Sequence, residues 1–447
     1  MTRENHKNHM NVRELALDIL MEVLERGGLS HVVLNQALSK YQYLEKQDRA
    51  FVTRVTEGTL EYLIQIDYVI GQYSKTKIEK MKPLIRTLLR MSVYQILYMD
   101  RIPDSAVCDE AVKLAVKRRF QGLKGFVNGV LRAIARGKGE LVFPDDSVRY
   151  SMPGWLIDMW KKEYPETVVY EMLNAFLEKR RLCVRLKGTP RERQRTEESL
   201  QSQGAVVEKS EYSEEIRYLS GIDHLEALAA FRDGWIQVQD LSSSFVALAA
   251  APRKGQYCVD VCAAPGGKSL HMADLLGDQG FVEARDISQN KIALIEDNIR
   301  RHGVSNIRTR VMDALEFDQE SAEKADILLA DLPCSGLGIL GRKPDIKYRV
   351  SPESIVELAE LQRKILSVVW RYVKPQGTLV YSTCTISRKE NEENAAWFAE
   401  EYPFEPVNIE QRLGGKLRSE TLKKGYIQLL PGAYPGDGFF LEVFKRI

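Results

Sequence analysis

Two cysteines carry the most chemistry in this chain. Cys334 lies in Asp331-Leu332-Pro333-Cys334-Ser335-Gly336 and Cys384 in Ser382-Thr383-Cys384-Thr385, each at the end of an apolar run that reads as a strand. Upstream, Cys262-Ala263-Ala264-Pro265-Gly266-Gly267-Lys268 runs from another apolar strand through small residues into a helix. Small residues let the backbone approach a ligand closely, and a helix start offers free N–H groups. A ligand loop followed by two thiols at later strand ends of one sheet fits a reaction in which a thiol attacks a substrate and afterwards leaves. A lone cysteine is ordinarily a small core residue. Two of them in polar strand-end surroundings, beside Ser and Thr, do not fit that role.

The loop is not a triphosphate site. The Walker A pattern GxxxxGK[ST] needs glycine at position 262, where this chain has Cys262, and the dinucleotide pattern GxGxxG is absent as well. Three acids end the strands that follow. Asp286 comes about 20 residues after the glycines, where an acid reaches ribose hydroxyls. Asp313 is placed for an adenine amine, and Asp331 ends the fourth strand. A strand-end Asp also commonly caps the next helix. Three in register with a close-approach turn favour a nucleoside cofactor without a triphosphate.

The elements that position these residues follow from residue periodicity. Apolar strands are expected at Tyr257–Cys262, Gly280–Ile287, Ile307–Met312, Ala325–Leu332, Thr378–Ser382 and Phe439–Phe444, with amphipathic helices such as Asn290 to His302 between them. Strand–helix alternation predicts an α/β fold with a parallel, doubly wound sheet, which binds ligands at the carboxyl ends of its strands. Residues 1–142 read as all-helical: Val12, Leu15, Ala16, Ile19, Leu20 and Val23 keep helical spacing, and Pro83 sits at a helix start. A boundary is placed near Phe143-Pro144-Asp145-Asp146. Residues 150–235 read as a small α+β module, leaving 236–447 as the ligand-binding domain.

Composition bounds the function classes. The chain has 447 residues, 44% hydrophobic and 28% charged, with a net charge of only +2, so overall charge announces no polyanion partner. Its distribution says more: the stretch Lys113 to Lys138 carries basic residues and no acid. The six cysteines form no CxxC pair and the six histidines, including His6 and His9, cluster with neither cysteines nor each other. The expectation is a cytoplasmic protein with free thiols, without structural metal, signal peptide or membrane span.

With these motifs in place, the chain resembles the S-adenosylmethionine-dependent methyltransferases of the Rossmann-like class. Cys262 to Lys268 has the form found in the Sun group of RNA cytosine-C5 methyltransferases. The resemblance implies that Cys262, Ala263, Ala264, Pro265, Gly266, Gly267 and Lys268 hold the methionine part of S-adenosyl-L-methionine, Asp286 the ribose and Asp313 the adenine end. It implies a Thr-Cys nucleophile, Cys384, and a Pro-Cys thiol, Cys334, for release or proton removal. Asp331 borders cofactor and base and recognises the cytosine. Gly341 to Arg349, basic with one aromatic, is expected beside a flipped nucleotide and its phosphates. Gln47-Asp48-Arg49-Ala50-Phe51-Val52 and Gly125 to Arg132 resemble the NusB-type RNA-binding fold. Together the parts resemble the bacterial 16S rRNA cytosine-C5 methyltransferases of the Fmu/Sun type. The expected partner is 16S rRNA or a partly assembled small ribosomal subunit, and the expected state a monomer. The same chemistry on tRNA, 23S rRNA or DNA stays open, as does an RNA-binding adaptor with an inactive methyltransferase core.

Overall fold

The computed structural model describes residues 11–41, 43–178, 181–222, 224–415 and 417–447; His6 and His9 lie outside these. The chain divides into two compact units. One comprises Met1–Leu177 with Gly341–Arg349, the other Glu178–Leu340 with Val350–Ile447. The expected module at 150–235 is therefore divided. Its helices Gly154–Glu163 and Glu166–Leu177 belong with the first unit and its strands with the second. The two helices bury Leu156, Trp160, Leu173 and Phe176, and the Trp160 and Phe176 rings pack 5.8 Å apart.

The described part of the first unit is helical throughout. Asn11 opens its first helix, Val12–Arg26, by accepting from the N–H groups of Arg13 (2.9 Å) and Glu14 (3.1 Å). Gly27 closes that helix in the left-handed region at φ 82°. Pro83 opens Pro83–Tyr98, where its missing N–H costs nothing. The apolar faces meet in one core containing Leu17, Leu20, Val55, Ile66, Leu88 and Leu131. In space, the basic stretch is less bare of acids than in sequence. Lys117 and Arg118 pair with Glu14, Arg118 also with Asp18, Arg132 with Asp109 and Lys138 with Asp104.

Gly341–Arg349 corrects an expectation. Its Lys347, Tyr348 and Arg349 are spent on backbone carbonyls inside the first unit. The Lys347 ammonium donates to Glu61 O (2.7 Å) and the Tyr348 hydroxyl to Leu60 O (2.8 Å), at the end of helix Lys46–Glu61. Arg349 donates to Gly27 O (2.9 Å) and to Gly28 O, just past helix Val12–Arg26, while Asp345 accepts from the Ser30 hydroxyl. The last carbonyls of a helix lack intrahelical partners and attract cations. Lys347 and Tyr348 are thus structural donors, not groups facing a nucleotide.

The second unit holds two sheets. The smaller is antiparallel, formed by β1 (Leu182–Leu186), β2 (Val206–Lys209), β3 (Ile216–Ser220) and β4 (Ile236–Val238) in the order β2-β3-β1-β4. The larger contains β5 (Tyr257–Asp260), β6 (Phe281–Asp286), β7 (Ile307–Val311), β8 (Ala325–Asp331), β9 (Val373–Thr383), β10 (Phe404–Pro406), β11 (Tyr426–Leu429) and β12 (Phe439–Arg446). Its order is β10-β12-β9-β8-β5-β6-β7, with β11 on β12. β5 to β9 pair in parallel, and β5, β6 and β8 with the end of β9 are buried on both faces, whereas the edge strand β7 is largely exposed. Val259, Leu328 and Leu379 enter one core, whereas Cys258, Ile327, Leu329 and Val380 enter the other. β12 departs from the expected parallel sheet by running antiparallel to β9 and β11. The connection from β11 spans only residues 430–438, too short for a parallel crossover.

Burial pushes the Lys347 ammonium down to about 7 from its ordinary 10.5, against the pull of Glu61. A proton held by the unfolded chain but released in the folded one opposes folding. That penalty is full below about 7 and fades as pH rises toward the ordinary lysine range. The stability of the native protein relative to Lys347→Met should therefore rise between about pH 7 and about pH 9, read by urea unfolding. A difference that stays constant with pH would contradict the burial of this charge.

Candidate active site

The site is built at the carboxyl ends of β5, β6, β8 and β9. After β5 the chain turns through Cys262 to Lys268 into helix Gly267–Leu276. Gly266 adopts φ 102°, where an L side chain is strained, and its Cβ would meet Ile295 Cγ2 at 3.2 Å. A Cβ built on Gly267 meets nothing within 4 Å, leaving an open cradle at the helix start. The turn is pinned by Ala263 N–H to Arg285 O (2.9 Å) and by Asn298 Nδ2 to Pro265 O (2.9 Å). Cys262 is an ordinary thiol, pushed up by burial first and neighbouring acids second.

The strand-end acids fall where expected. Asp286 is buried and accepts from Ala264 N–H (2.9 Å) and Ile287 N–H (2.8 Å), with Lys291 Nζ 3.0 Å away. It therefore ties the end of β6 to the ligand turn. Asp313 accepts from Leu315 N–H (2.9 Å) and stays half-exposed. Beside them Ile287 and Leu315 are left exposed, apolar side chains at a strand-end cleft. Asp331 receives Lys268 Nζ at 2.7 Å on one oxygen and the Ser382 hydroxyl at 2.7 Å on the other. Burial alone would lower the Lys268 proton affinity, but Asp331 more than offsets this and holds the ammonium above the usual lysine range. Lys268 also lies 5.4 Å over the Phe439 ring.

Parallel pairing of β8 with β9 sets Asp331 opposite Ser382. The chain beyond each strand end then brings the two sulfurs together: Cys334 Sγ and Cys384 Sγ lie 3.3 Å apart, both half-buried. The Cys334 thiol is held well above its ordinary range, first by its hydrogen bond with Cys384 and then by burial. Close backbone crossing fixes the turn. Gly338 N–H donates to Cys384 O (3.0 Å), and Gly438 N–H to Gly338 O (2.9 Å).

Several site residues are absent from the sequence reading. Asp260, at the end of β5, is buried, accepts from the Ser269 hydroxyl (2.6 Å), and is pushed up to about 7 by burial. An acid ending the strand just before the ligand turn was a usable signal. Glu390, Asn391 and Gln362 form a buried network beneath the two cysteine turns. Nothing in their local sequence marks them, because they act through chain segments that are distant in sequence. Among the described residues no three His, Cys, Asp or Glu side chains are grouped to hold a metal ion, and the six cysteines form no disulfide.

This sheet order, with a small-residue turn after its first parallel strand and acids ending the next, defines a Rossmann-like methyltransferase domain. The sequence pattern described as "16S rRNA methyltransferase RsmB/F" matches residues 247–445, and that of the NusB family matches residues 10–136. A protein named probable ribosomal RNA small subunit methyltransferase B, from Bacillus subtilis, is 36% identical over 98% of this chain and 99% of its own. The ribosomal RNA small subunit methyltransferase B of Escherichia coli is 31% identical over 97% of this chain and 98% of its own. The crystal structure of PH0851 superimposes with a TM-score of 0.81 at 24% identity, covering 98% of this chain and 99% of that one, a likeness of fold. The chain belongs to the ribosomal RNA small subunit methyltransferase B family, and its cofactor is S-adenosylmethionine.

Gly338→Ala tests the crossing that holds the cysteine turn. Its Cβ would lie 2.0 Å from Gly438 O and 2.8 Å from Cys384 O, both backbone atoms that cannot swing aside. The expected result is a loss of about 1–3 kcal/mol in unfolding free energy together with a marked drop in methyl transfer. Wild-type stability and rate would show that the crossing is dispensable.

Proposed function

We propose that the enzyme methylates carbon 5 of a cytidine in 16S rRNA through a covalent adduct with Cys384. The observation that carries this reading is the 3.3 Å approach of two thiols beside a cofactor turn. Carbon 5 of cytosine is a poor nucleophile in an electron-deficient ring. Addition of the Cys384 thiolate to carbon 6 turns the ring into an enamine whose carbon 5 is nucleophilic. S-adenosylmethionine, when bound, supplies the electrophilic methyl group. The carbon-5 proton then leaves, the electron pair re-forms the ring double bond, and the carbon 6–sulfur bond breaks to release Cys384. Cys334 serves release or proton removal.

The other roles are those that the family resemblance implies. Cys262 to Lys268 hold the methionine part across the open cradle at Gly267, Asp286 holds the ribose, and Asp313 the adenine end beside exposed Ile287 and Leu315. Asp331 keeps lone pairs beyond those given to Lys268 and Ser382, since each carboxylate oxygen accepts twice. It accepts from the exocyclic amine of cytosine; uracil offers a carbonyl there, which a carboxylate repels. Lys268 brings positive charge to the pocket that Cys384 shares, which favours a thiolate.

The helical unit docks structured RNA, supported by its match to the NusB family. Its half-paired basic surface makes that docking a matter of shape as well as charge. The substrate is 16S rRNA, free or in a partly assembled small subunit. The enzyme is read as a cytoplasmic monomer. Among the described residues, no helix is long and apolar enough to cross a membrane.

Single-cysteine variants assayed with labelled S-adenosylmethionine and 16S rRNA separate the two thiols. Cys384→Ala should be inert, whereas Cys334→Ala should transfer methyl once or stall as a covalent RNA adduct. An inert Cys334→Ala beside an active Cys384→Ala would reverse the roles. Bisulfite sequencing of rRNA from a deletion strain should show one unprotected cytidine in 16S rRNA; a loss confined to another RNA would overturn the substrate.

A further inference from the structure

Beneath the two thiols lies a polar cluster with no direct part in the chemistry above. Glu390 is wholly buried. One of its oxygens accepts from Ser335 N–H (2.8 Å) and Gln362 Nε2 (3.1 Å). The other accepts from the hydroxyls of Ser335 (2.5 Å) and Thr385 (3.4 Å), which are themselves 2.7 Å apart. Ser335 follows Cys334 and Thr385 follows Cys384, so one carboxylate grips the residue after each thiol.

Neighbouring groups complete the grip. Asn391 accepts from the Thr383 hydroxyl (2.5 Å) and donates to Thr385 O (3.1 Å), holding both residues that flank Cys384. Gln362 donates to Pro333 O (2.9 Å), the residue before Cys334, and accepts from the Tyr381 hydroxyl (3.0 Å). Every residue adjacent to either cysteine is thereby fastened to a group on another segment. A buried carboxylate is costly without partners. Here Ser335 N–H, Gln362 Nε2 and the linked Ser335–Thr385 hydroxyl pair all turn protons toward it, which suits an acceptor-only carboxylate.

We propose that Glu390 is a positioning residue for methyl transfer: with Asn391 and Gln362 it sets the spacing of the Cys334 and Cys384 sulfurs. The inference rests on the reading of these cysteines as the reacting pair. Glu390 grips Ser335 and Thr385, and through them it sets where the two sulfurs lie. A displaced thiol loses rate, because a misplacement of about 1 Å costs on the order of 100-fold. Binding should change little, because Cys262 to Lys268, Asp286 and Asp313, which carry the cofactor roles proposed above, are not among the side-chain partners of Glu390.

The test uses full-length Glu390→Ala, Glu390→Gln and Thr385→Val with a 16S rRNA transcript. Two readouts are taken: kcat and KM for methyl transfer, and the rate at which diamide, a thiol oxidant, joins Cys334 to Cys384, by peptide mass mapping. Glu390→Ala should lower kcat about 10- to 100-fold with both KM values within about twofold, and slow the crosslink about tenfold. Glu390→Gln keeps an oxygen for Ser335 N–H and should retain both rates within about threefold. Thr385→Val removes one arm of the clamp alone and should fall between them, which keeps the test decisive where Glu390→Ala does not fold. Wild-type kcat and crosslinking in Glu390→Ala or Thr385→Val would overturn the proposal, as would a raised KM at unchanged kcat. The crosslink reports spacing whichever thiol attacks. An active Cys384→Ala beside a slowed crosslink would therefore remove the nucleophile assignment and leave the clamp standing.

Discussion

The parallel pairing of β8 with β9 is the constraint on which the site depends. Asp331 faces Ser382 across that ladder, and each chain continues for only two or three residues before its cysteine. Strand spacing of about 5 Å sets the scale, and the buried turns beyond the strands reduce it to a 3.3 Å sulfur contact. Any slip in register would carry Cys384 away from Cys334 and the Ser382 hydroxyl away from Asp331 together. Burial on both faces prevents such a slip. Leu328 and Leu379 feed one core while Ile327, Leu329 and Val380 feed the other, so a shift by one residue would exchange all of them.

The same ladder explains how charge is arranged around the thiols. Asp331 is neutralised by Lys268, which descends from the cofactor helix, and the Lys268–Asp331 pair forms one wall of the pocket. The sheet therefore couples the turn from Cys262 to Lys268 to the thiols through an ion pair that is largely screened from water. Asp260 and Ser269 brace the turn from below and Asp286 from the side. The turn from Cys262 to Lys268 and its helix are thus held by three carboxylates.

Much of this was legible in sequence where an element and its chemistry coincide. β8 and the second half of β9 are near-continuous apolar runs, and the residues that follow them, Asp331 and then Cys334 and Cys384, stand out because polar groups follow apolar ones. Three things were not legible. The segment Gly341–Arg349 reads as a basic loop, yet Lys347 and Tyr348 satisfy helix-end carbonyls that no local pattern reveals. The acid-free stretch from Lys113 to Lys138 reads as a bare cationic surface, yet Glu14, Asp18, Asp104 and Asp109 meet it from other parts of the bundle. β12 reads as one more parallel strand, and only the short return from β11 makes it antiparallel. In each case the missing information is a contact between segments distant in sequence.

The central claim is that Cys384, not Cys334, bonds to the pyrimidine ring. RNA carrying 5-fluorocytidine tests it most directly, because fluorine at carbon 5 cannot leave as a proton does and the adduct stops before release. Incubation of the full-length enzyme with S-adenosylmethionine and such a 16S transcript should give a protein–RNA species that survives denaturing gel electrophoresis. Peptide mass mapping should place the nucleotide on Cys384. A nucleotide mapped to Cys334, or no stable species from an enzyme that methylates the unmodified transcript, would contradict the account.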